Sequence, residues 1–441
     1  MRRIFSAYAY GPGPRSGCWW DETAKLNAHA ALTGDITCDV AIIGGGFTGL
    51  SAALHLAESG ASVAVLEAHH VGWGASGRNG GFCCLGGSKA EDAALDRRFG
   101  RDGRIAWRRA ERAAIETVEG LVDRLGLDVD RHSRGETMLA HRARDAAGFP
   151  DQAAAVAENY GVQAEEHPRD ALDDLGLSGP WHGGLTIPLG FGLNPRKYLL
   201  GLADAAVARG VRIFHDTPVE RLDRDGRTYR LRTPSGEVSA PQVIVATNGY
   251  SSEDVPAWLA GRYMPAQSTV LVTRPLEERE LQDAGWTSDQ MSYDTRNLLH
   301  YFRLMPDRRF LFGMRGGILT GQIPERAARA AVLRDFRAMF PAWAQVDVPH
   351  SWSGLVSIAR DLMPYVGPVP GSPGLWAGLC YHGNGVAMGS HSGRLLAGLV
   401  AGRTPDDYPE AMRRPLTRFP LGRARRAVMP AVYAGFALAD R

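Results

Sequence analysis

The residues of this chain whose types and spacing most constrain its chemistry are Gly44, Gly46 and Gly49, with Glu67 downstream. The glycines form a Gly-x-Gly-x-x-Gly turn. An apolar run, Val40-Ala41-Ile42-Ile43, precedes it, and Leu50, Ala53, Leu54 and Ala57 follow it at helical spacing. In such a turn the first glycine permits the tight reversal, the second lets backbone approach a pyrophosphate, and the third lets helix and strand pack closely. The first helical residues, Phe47 and Thr48, then present amides and a helix dipole to the phosphates. A second apolar run, Ser62-Val63-Ala64-Val65-Leu66, ends at Glu67 and Ala68. An acid about twenty residues past the glycines stands where a ribose hydroxyl needs an acceptor. A lone glycine triplet is also an ordinary tight turn. Strand, triplet, helix, strand and terminal acid together point to dinucleotide binding.

A second motif follows at once, from Val71 to Phe82, with Gly74, Ala75, Ser76, Gly80 and Gly81 in it. It is too bare to be core, and a loop this bare lets backbone approach a large flat ligand. Arg78 and Asn79 are candidate donors to phosphate or ring oxygens, and Trp73 and Phe82 flank the loop. Together the two motifs resemble those of the FAD-dependent amine and amino-acid oxidase superfamily, which includes D-amino-acid, sarcosine and glycine oxidases. Within it the chain is most similar to the gamma-glutamylputrescine oxidase type. The similarity runs from Trp19-Trp20-Asp21 to Pro415-Leu416-Thr417-Arg418-Phe419-Pro420.

The resemblance implies an α/β fold: a Rossmann-like FAD-binding domain with an antiparallel-sheet substrate domain, as in glycine and sarcosine oxidases. It implies a discontinuous FAD-binding domain over 37–90, 192–255 and 350–402, a substrate domain over 91–191 and 256–349, and a tail, 403–441, packed on the body. It places Val219 against the adenine, and the turn holding Thr247 and Gly249 back at the cofactor. A third motif, Cys380-Tyr381-His382-Gly383-Asn384-Gly385-Val386-Ala387-Met388-Gly389, resembles the family's Gly-His-Gly turn in altered order. A helix expected over 392–400 follows it. Its amides would face the pyrimidine side of the isoalloxazine, where negative charge accumulates on reduction.

Oxidation of an amine by a flavin needs a positioned substrate carbon, a neutral nitrogen and an environment that stabilises reduced flavin. The candidates for this work are His300, Tyr301, Arg303, Tyr381 and His382. Tyr301 would orient the substrate, and a neutral His382 would accept a proton or a hydrogen bond. The implied reaction takes a small-molecule amine to an imine that hydrolyses to an aldehyde, with oxygen reoxidising the flavin to give peroxide. Departures from the family matter too. The oxygen-promoting lysine of sarcosine oxidases falls near Leu311, and their carboxylate-binding lysine near Ala387. A carboxylate clamp is therefore expected to be missing, which favours a longer amine such as a gamma-glutamylated polyamine. Where that branch attaches flavin to cysteine this chain has Gly354, so non-covalent FAD is expected, with oxygen or an electron carrier as acceptor.

The elements that must position these residues are legible in part. Glu91 to Leu125 reads as one or two long amphipathic helices. A helix runs from Arg196 to Gly210, and Val211 to Val219 reads as strand. Polar hairpins turn at Asp225-Gly226 and Pro234-Ser235-Gly236. Strand-like stretches at 268–272 and 309–313 read as an antiparallel sheet over the flavin, flanked by a helix over 325–340.

The chain has 441 residues and a net charge of +2, which gives no case for nucleic acid. Its five cysteines, Cys18, Cys38, Cys83, Cys84 and Cys380, are too irregularly spaced for a disulfide framework or a metal site. No signal peptide or membrane span is expected, and the cytoplasm is the default. Alternatives remain: a D-amino-acid or N-methyl amino-acid oxidase or dehydrogenase using Arg78, Arg303 or Arg315 for the carboxylate; a flavin-binding module without turnover; and an NAD-dependent dehydrogenase. Substrate identity and oligomeric state are not fixed by the sequence.

Overall fold

Residues 1–317 and 319–440 are described by the computed structural model of the chain. A six-stranded sheet forms the base of the cofactor-binding side. Its strands run in the spatial order Tyr365–Pro368, Leu375–Leu379, Gln242–Val245, Val40–Ile43, Val63–Leu66 and Arg212–Phe214. All neighbours are parallel except the edge strand Tyr365–Pro368. Val40–Ile43 and Val63–Leu66 are buried along their whole length, as expected of parallel strands covered on both faces. Helices Phe47–Glu58 and Gly385–Val400 pack on one another over this sheet, with Leu50, Leu54, Leu395 and Leu396 in one core. The two hairpins anticipated near 225 and 235 form a small second sheet, Arg221–Asp225, Thr228–Thr233 and Gly236–Ala240, edged by Ile36–Thr37.

An eight-stranded sheet stands above. Its spatial order is His350–Ile358, Met264–Pro275, Arg309–Arg315, His300–Leu304, Met291–Asp294, Glu136–Leu139, Gly183–Ile187 and Glu165–Pro168. It is antiparallel except where Met291–Asp294 runs parallel to Glu136–Leu139. Helix Gln322–Met339 covers its outer face, with Phe336 packed on Phe310 and Phe312.

Several boundaries differ from the sequence reading. His350–Ile358, expected with the FAD-binding part, is the edge strand of the upper sheet, paired along Met264–Val272. Asp92–Leu125 is two helices joined at a kink at Gly100 (φ 70°), within the one or two helices expected. Their Trp107, Ala114, Val118 and Leu121 enter the core below the cofactor side instead of joining the substrate sheet. Thr217 to Val219 do not extend the strand, because Thr217 is drawn aside by a hydrogen bond from its N–H to the Glu67 carbonyl. The helix expected at 392 begins at Gly385, directly at the turn.

The chain's last helix, Met429–Ala439, returns toward the upper sheet. Asp440 accepts from the backbone N–H groups of Asn297 and Leu298, and Arg425 pairs with Glu253 at 2.8 Å. No helix among the described residues is long and apolar enough to cross a membrane.

Candidate active site

A groove of about 1300 Å³ opens at the carboxyl ends of the parallel strands, where an open α/β sheet places its ligand. Of the residues expected to hold the cofactor, Gly44, Gly46, Phe47, Thr48, Glu67, Ala68, Gly74, Ala75, Ser76, Asn79, Val219, Thr247, Gly383, Gly385 and Val386 line it. Gly44 turns the chain at φ 111°, where a Cβ would lie 2.9 Å from the Ala246 carbonyl oxygen. A Cβ on Gly46 would lie 2.7 Å from Ser76 Oγ and block the approach to the helix N-terminus. Glu67 accepts from the Gly45 N–H at 2.8 Å and the His69 N–H at 3.1 Å, and burial raises its pKa against those bonds. Met1, Arg3 and Tyr10, which the motif reading passed over, also reach this groove.

The groove continues into a second cavity of about 1040 Å³, and Ala75, Asn79, Val356, Gly383 and Val386 line both. Arg78, Gly80 and Asn384 line the second part. Arg78 is fully buried. It donates to the carbonyls of Trp73 (2.8 Å) and Ser353 (3.2 Å), and its Nη2 has no hydrogen-bond partner among the described residues. Asn79 is spent on the loop itself, donating to Ala75 and Ser76 and accepting from Gly81, so it is not the free donor the motif suggested. The other four cofactor candidates line neither cavity. A Cβ on Gly49 would sit 2.0 Å from the Gly44 oxygen and one on Gly81 2.1 Å from the Leu193 oxygen. At Gly249 it would lie 2.8 Å from the Leu355 oxygen. These three serve close packing, and Ala387 is buried in the helix core.

The glycine turn, the acid at the second strand end and the orphaned Arg78 nitrogen suit an extended dinucleotide whose ring system reaches the junction of the two cavities. FAD has that shape, and the residues fit it.

The roof of the second cavity is one face of the upper sheet. Tyr301 pairs with both Gly313 and Tyr293, and Arg315 pairs with Ser268. Side chains alternate along a strand, so Ser268, Tyr293, Tyr301, Arg315 and Glu136 all fall on that face. All five line the cavity. Tyr301 is seated where Gly80 and Gly313 leave room, edge-on to Phe82, with its hydroxyl 3.1 Å from Ser268 Oγ. Burial raises its pKa, so it stands as a neutral phenol.

The other proposed catalytic residues are placed otherwise. His300, next to Tyr301, points by the same alternation to the opposite face. There it stacks on Phe312 and holds Asp294 (2.8 Å) and Asp335 (3.4 Å). Burial lowers its pKa, but the two carboxylates outweigh burial and the net shift is upward. His382 is buried and used at both nitrogens. Nε2 accepts from the Ala359 N–H at 3.1 Å, and Nδ1 donates to the Gly87 carbonyl at 2.9 Å. Burial pulls its pKa down to about 4, so the ring is neutral as expected, but it ties two loops together and lines neither cavity. Tyr381 edges the groove with its hydroxyl bonded to Thr48 Oγ1 at 2.9 Å, locking the third motif to the first helix. Arg303 faces a separate surface pocket, bonded to His132 and the Leu193 carbonyl. Burial lowers the pKa of His132 to about 3, which leaves it a neutral acceptor for Arg303.

The sequence reading missed Lys89 and Glu136. Both line the second cavity, with Arg315, which was raised only as an alternative carboxylate binder. The sequence reading expected no clear carboxylate clamp. Two cations do reach the cavity, from positions unrelated to the family's lysines. Their one sequence signal was Lys89 itself, one of only three lysines and seven residues past the end of the second glycine motif at Phe82. The neighbouring Arg315 charge lowers the Lys89 pKa, although the Lys89 residue itself is exposed, and burial raises Glu136 to about 8. Cys84, also in the lining, has its thiol pKa pushed well up by burial and is unreactive as a nucleophile.

Comparison with known proteins follows the same lines. A family model described as FAD dependent oxidoreductase, DAO, matches residues 39–399. The chain is 32% identical over 426 residues to gamma-glutamylputrescine oxidoreductase of Escherichia coli strain K12, covering 95% of this chain and 97% of that protein. It is 30% identical over 429 residues to a probable oxidoreductase, OrdL, of Rhizobium meliloti strain 1021, covering 96% and 97%. Among solved structures, glycine oxidase from Geobacillus kaustophilus superposes with a TM-score of 0.70 at 20% identity, over 86% of this chain and 100% of that one.

Proposed function

We infer that this chain, which belongs to the DAO family of FAD-dependent oxidoreductases, oxidises the CH–NH bond of an amine, with gamma-glutamylputrescine as the leading candidate substrate. The observation that carries the reading is the continuity of the two cavities. The dinucleotide groove opens, at Gly383 and Val386, into a chamber roofed by Tyr301 and lined by titratable groups. FAD supplies the acceptor for two electrons. The protein's share is placement and protonation. Tyr301 and Phe82 form an aromatic wall for an alkyl chain, and the neutral Tyr301 hydroxyl with Ser268 offers a hydrogen bond to the amine. The substrate loses two electrons and two protons to become an imine, and water converts the imine to an aldehyde and a free amine or ammonia. The 32% identity to gamma-glutamylputrescine oxidoreductase supports that amine over simpler ones.

An amino-acid substrate is the second reading, favoured by Arg315. Its Nη2 lies 3.1 Å from where a Gly383 Cβ would be, at the junction of the cavities. Anaerobic mixing of the purified holoprotein with gamma-glutamylputrescine, putrescine, sarcosine and several D-amino acids separates the two. Flavin bleaching by the first alone is the expected result, and bleaching by amino acids alone would transfer the assignment. Admitting air afterwards and assaying peroxide tests oxygen as the acceptor.

A further inference from the structure

The C-terminal segment combines two features that amine oxidation does not use. Between Glu410 and Asp440 it carries six arginines and no acidic residue, and from Ala427 to Ala439 it carries no charge at all. Most of the uncharged stretch is helix Met429–Ala439, and none of that helix's residues is buried. It meets the body along one stripe: Met429, Tyr433 and Asp440 are the only partly covered positions from 429 to 440. Tyr433 comes close enough to Arg315, in the lining of the second cavity, to feel its charge, and Asp440 is anchored at Asn297 and Leu298. The outward side is apolar. Val428, Val432 and Phe436 recur there at helical spacing, and Leu438 is 69% exposed. Leu421 (63%), just ahead of the helix, is exposed too, as are Leu319 (66%) and Ile323 (74%) on the segment that follows Arg315. A helix apolar all round ordinarily lies in a core or in lipid, and exposed apolar surface of this extent marks a contact site.

The arginines decide what the contact is. Arg425 is buried on Glu253, Arg414 pairs with Glu410, and Arg413 donates to the Tyr408 carbonyl. Arg418 and Arg423 stand exposed just ahead of the helix. Arg423 reaches Glu253 only at 3.8 Å, and that carboxylate is already held by Arg425 at 2.8 Å. A second copy docked here about a two-fold axis would bring two arginine-rich segments together, with no acid of the segment to separate them. An anionic surface satisfies both halves of the patch at once. We propose that helix Met429–Ala439 docks on an anionic lipid bilayer, its outward apolar side chains entering the boundary between headgroups and acyl chains and Arg418 and Arg423 pairing with lipid phosphates. At 11 residues the helix is about 16 Å long against about 30 Å of hydrocarbon, so the contact is interfacial and reversible and not a span.

The test is sedimentation of the FAD-loaded protein with vesicles of phosphatidylcholine alone and of equal parts phosphatidylcholine and phosphatidylglycerol. Wild type is expected to bind the anionic vesicles about tenfold or more tightly than the neutral ones, and to lose that preference in high salt. Arg418→Gln with Arg423→Gln should weaken binding to the anionic vesicles about tenfold. Phe436→Ser with Leu438→Ser should weaken it about tenfold or more. All four side chains are exposed, so flavin content and the unfolding midpoint should stay at their wild-type values. Should a variant fail to fold, the lipid and salt dependence of wild type decides alone. No binding to either vesicle, or equal binding to both, would overturn the proposal. So would a concentration-dependent dimer in light scattering that Phe436→Ser with Leu438→Ser abolishes, since the face would then belong to a second copy of the chain.

Discussion

Replacing His382 with glutamine makes a sharp test of its placement. The imidazole is 3% exposed on a residue basis, bridges the Gly87 carbonyl and the Ala359 N–H, and has its pKa lowered from 6.5 to about 4 by burial. A group whose folded pKa is depressed in this way favours the folded state while neutral. Its contribution is fully present above the unfolded value and is lost as pH falls toward the folded one. A depression of two to three units corresponds to about 3 kcal/mol in the limit, and to about 2 kcal/mol already lost near pH 5. His132, His215 and His391 are depressed in the same direction, so the total acid sensitivity exceeds this share. The assay is denaturant unfolding of wild type and His382→Gln at about pH 7 and about pH 5. The variant should be less stable at pH 7 by about 1–3 kcal/mol, for the backbone groups it leaves poorly met. Between the two pH values it should lose about 2 kcal/mol less than wild type. Parallel pH profiles would refute the reasoning and return His382 to the role of a proton acceptor for the substrate.

His300 titrates with the opposite sign. Its pKa is raised by Asp294 and Asp335, so its stabilisation is present below the unfolded value and lost as pH rises through the folded one. Asp294→Asn should lower the His300 pKa in an NMR titration and remove that upper pH limb. Gly49→Ala places a methyl 2.0 Å from the Gly44 oxygen. Overpacking of about 1–3 kcal/mol, against about 1 kcal/mol of regained helix propensity, should lower the unfolding midpoint. Gly46→Ala meets only the Ser76 hydroxyl and should fold but bind less FAD per chain, as read by flavin absorbance after gel filtration. Tyr301→Phe should cost under about 1 kcal/mol of stability, since the ring and its wall remain. Tyr301→Ala should lower kcat/KM far more than Tyr301→Phe if the ring positions the substrate.

The cofactor motifs were legible because each is local: strand, turn and helix follow one another within a few tens of residues, and glycine reports a close approach wherever it occurs. The packing role read for Gly49 follows from the same locality, whereas at Gly81 and Gly249 the close approach is to the protein's own backbone and not to the cofactor groove. The upper sheet was harder. Strand period would have told His300 from Tyr301, because adjacent residues cannot face one chamber. Which face is buried against the cofactor, however, depends on pairings such as Met291 with Glu136 that span long stretches of chain. Lys89, Glu136 and Arg315 meet only through that topology. Helix Asp92–Leu125 was read correctly as amphipathic, but the identity of the surface its apolar stripe meets is not written in the stripe.

The central claim is that the chamber next to the dinucleotide groove presents an amine to FAD. A single anaerobic turnover tests it most directly: one equivalent of gamma-glutamylputrescine is added to the holoprotein, and reduced flavin and aldehyde are quantified together. The account predicts loss of the oxidised flavin spectrum with a matching yield of aldehyde. An unchanged flavin spectrum with intact amine, in protein that retains its FAD, would contradict it.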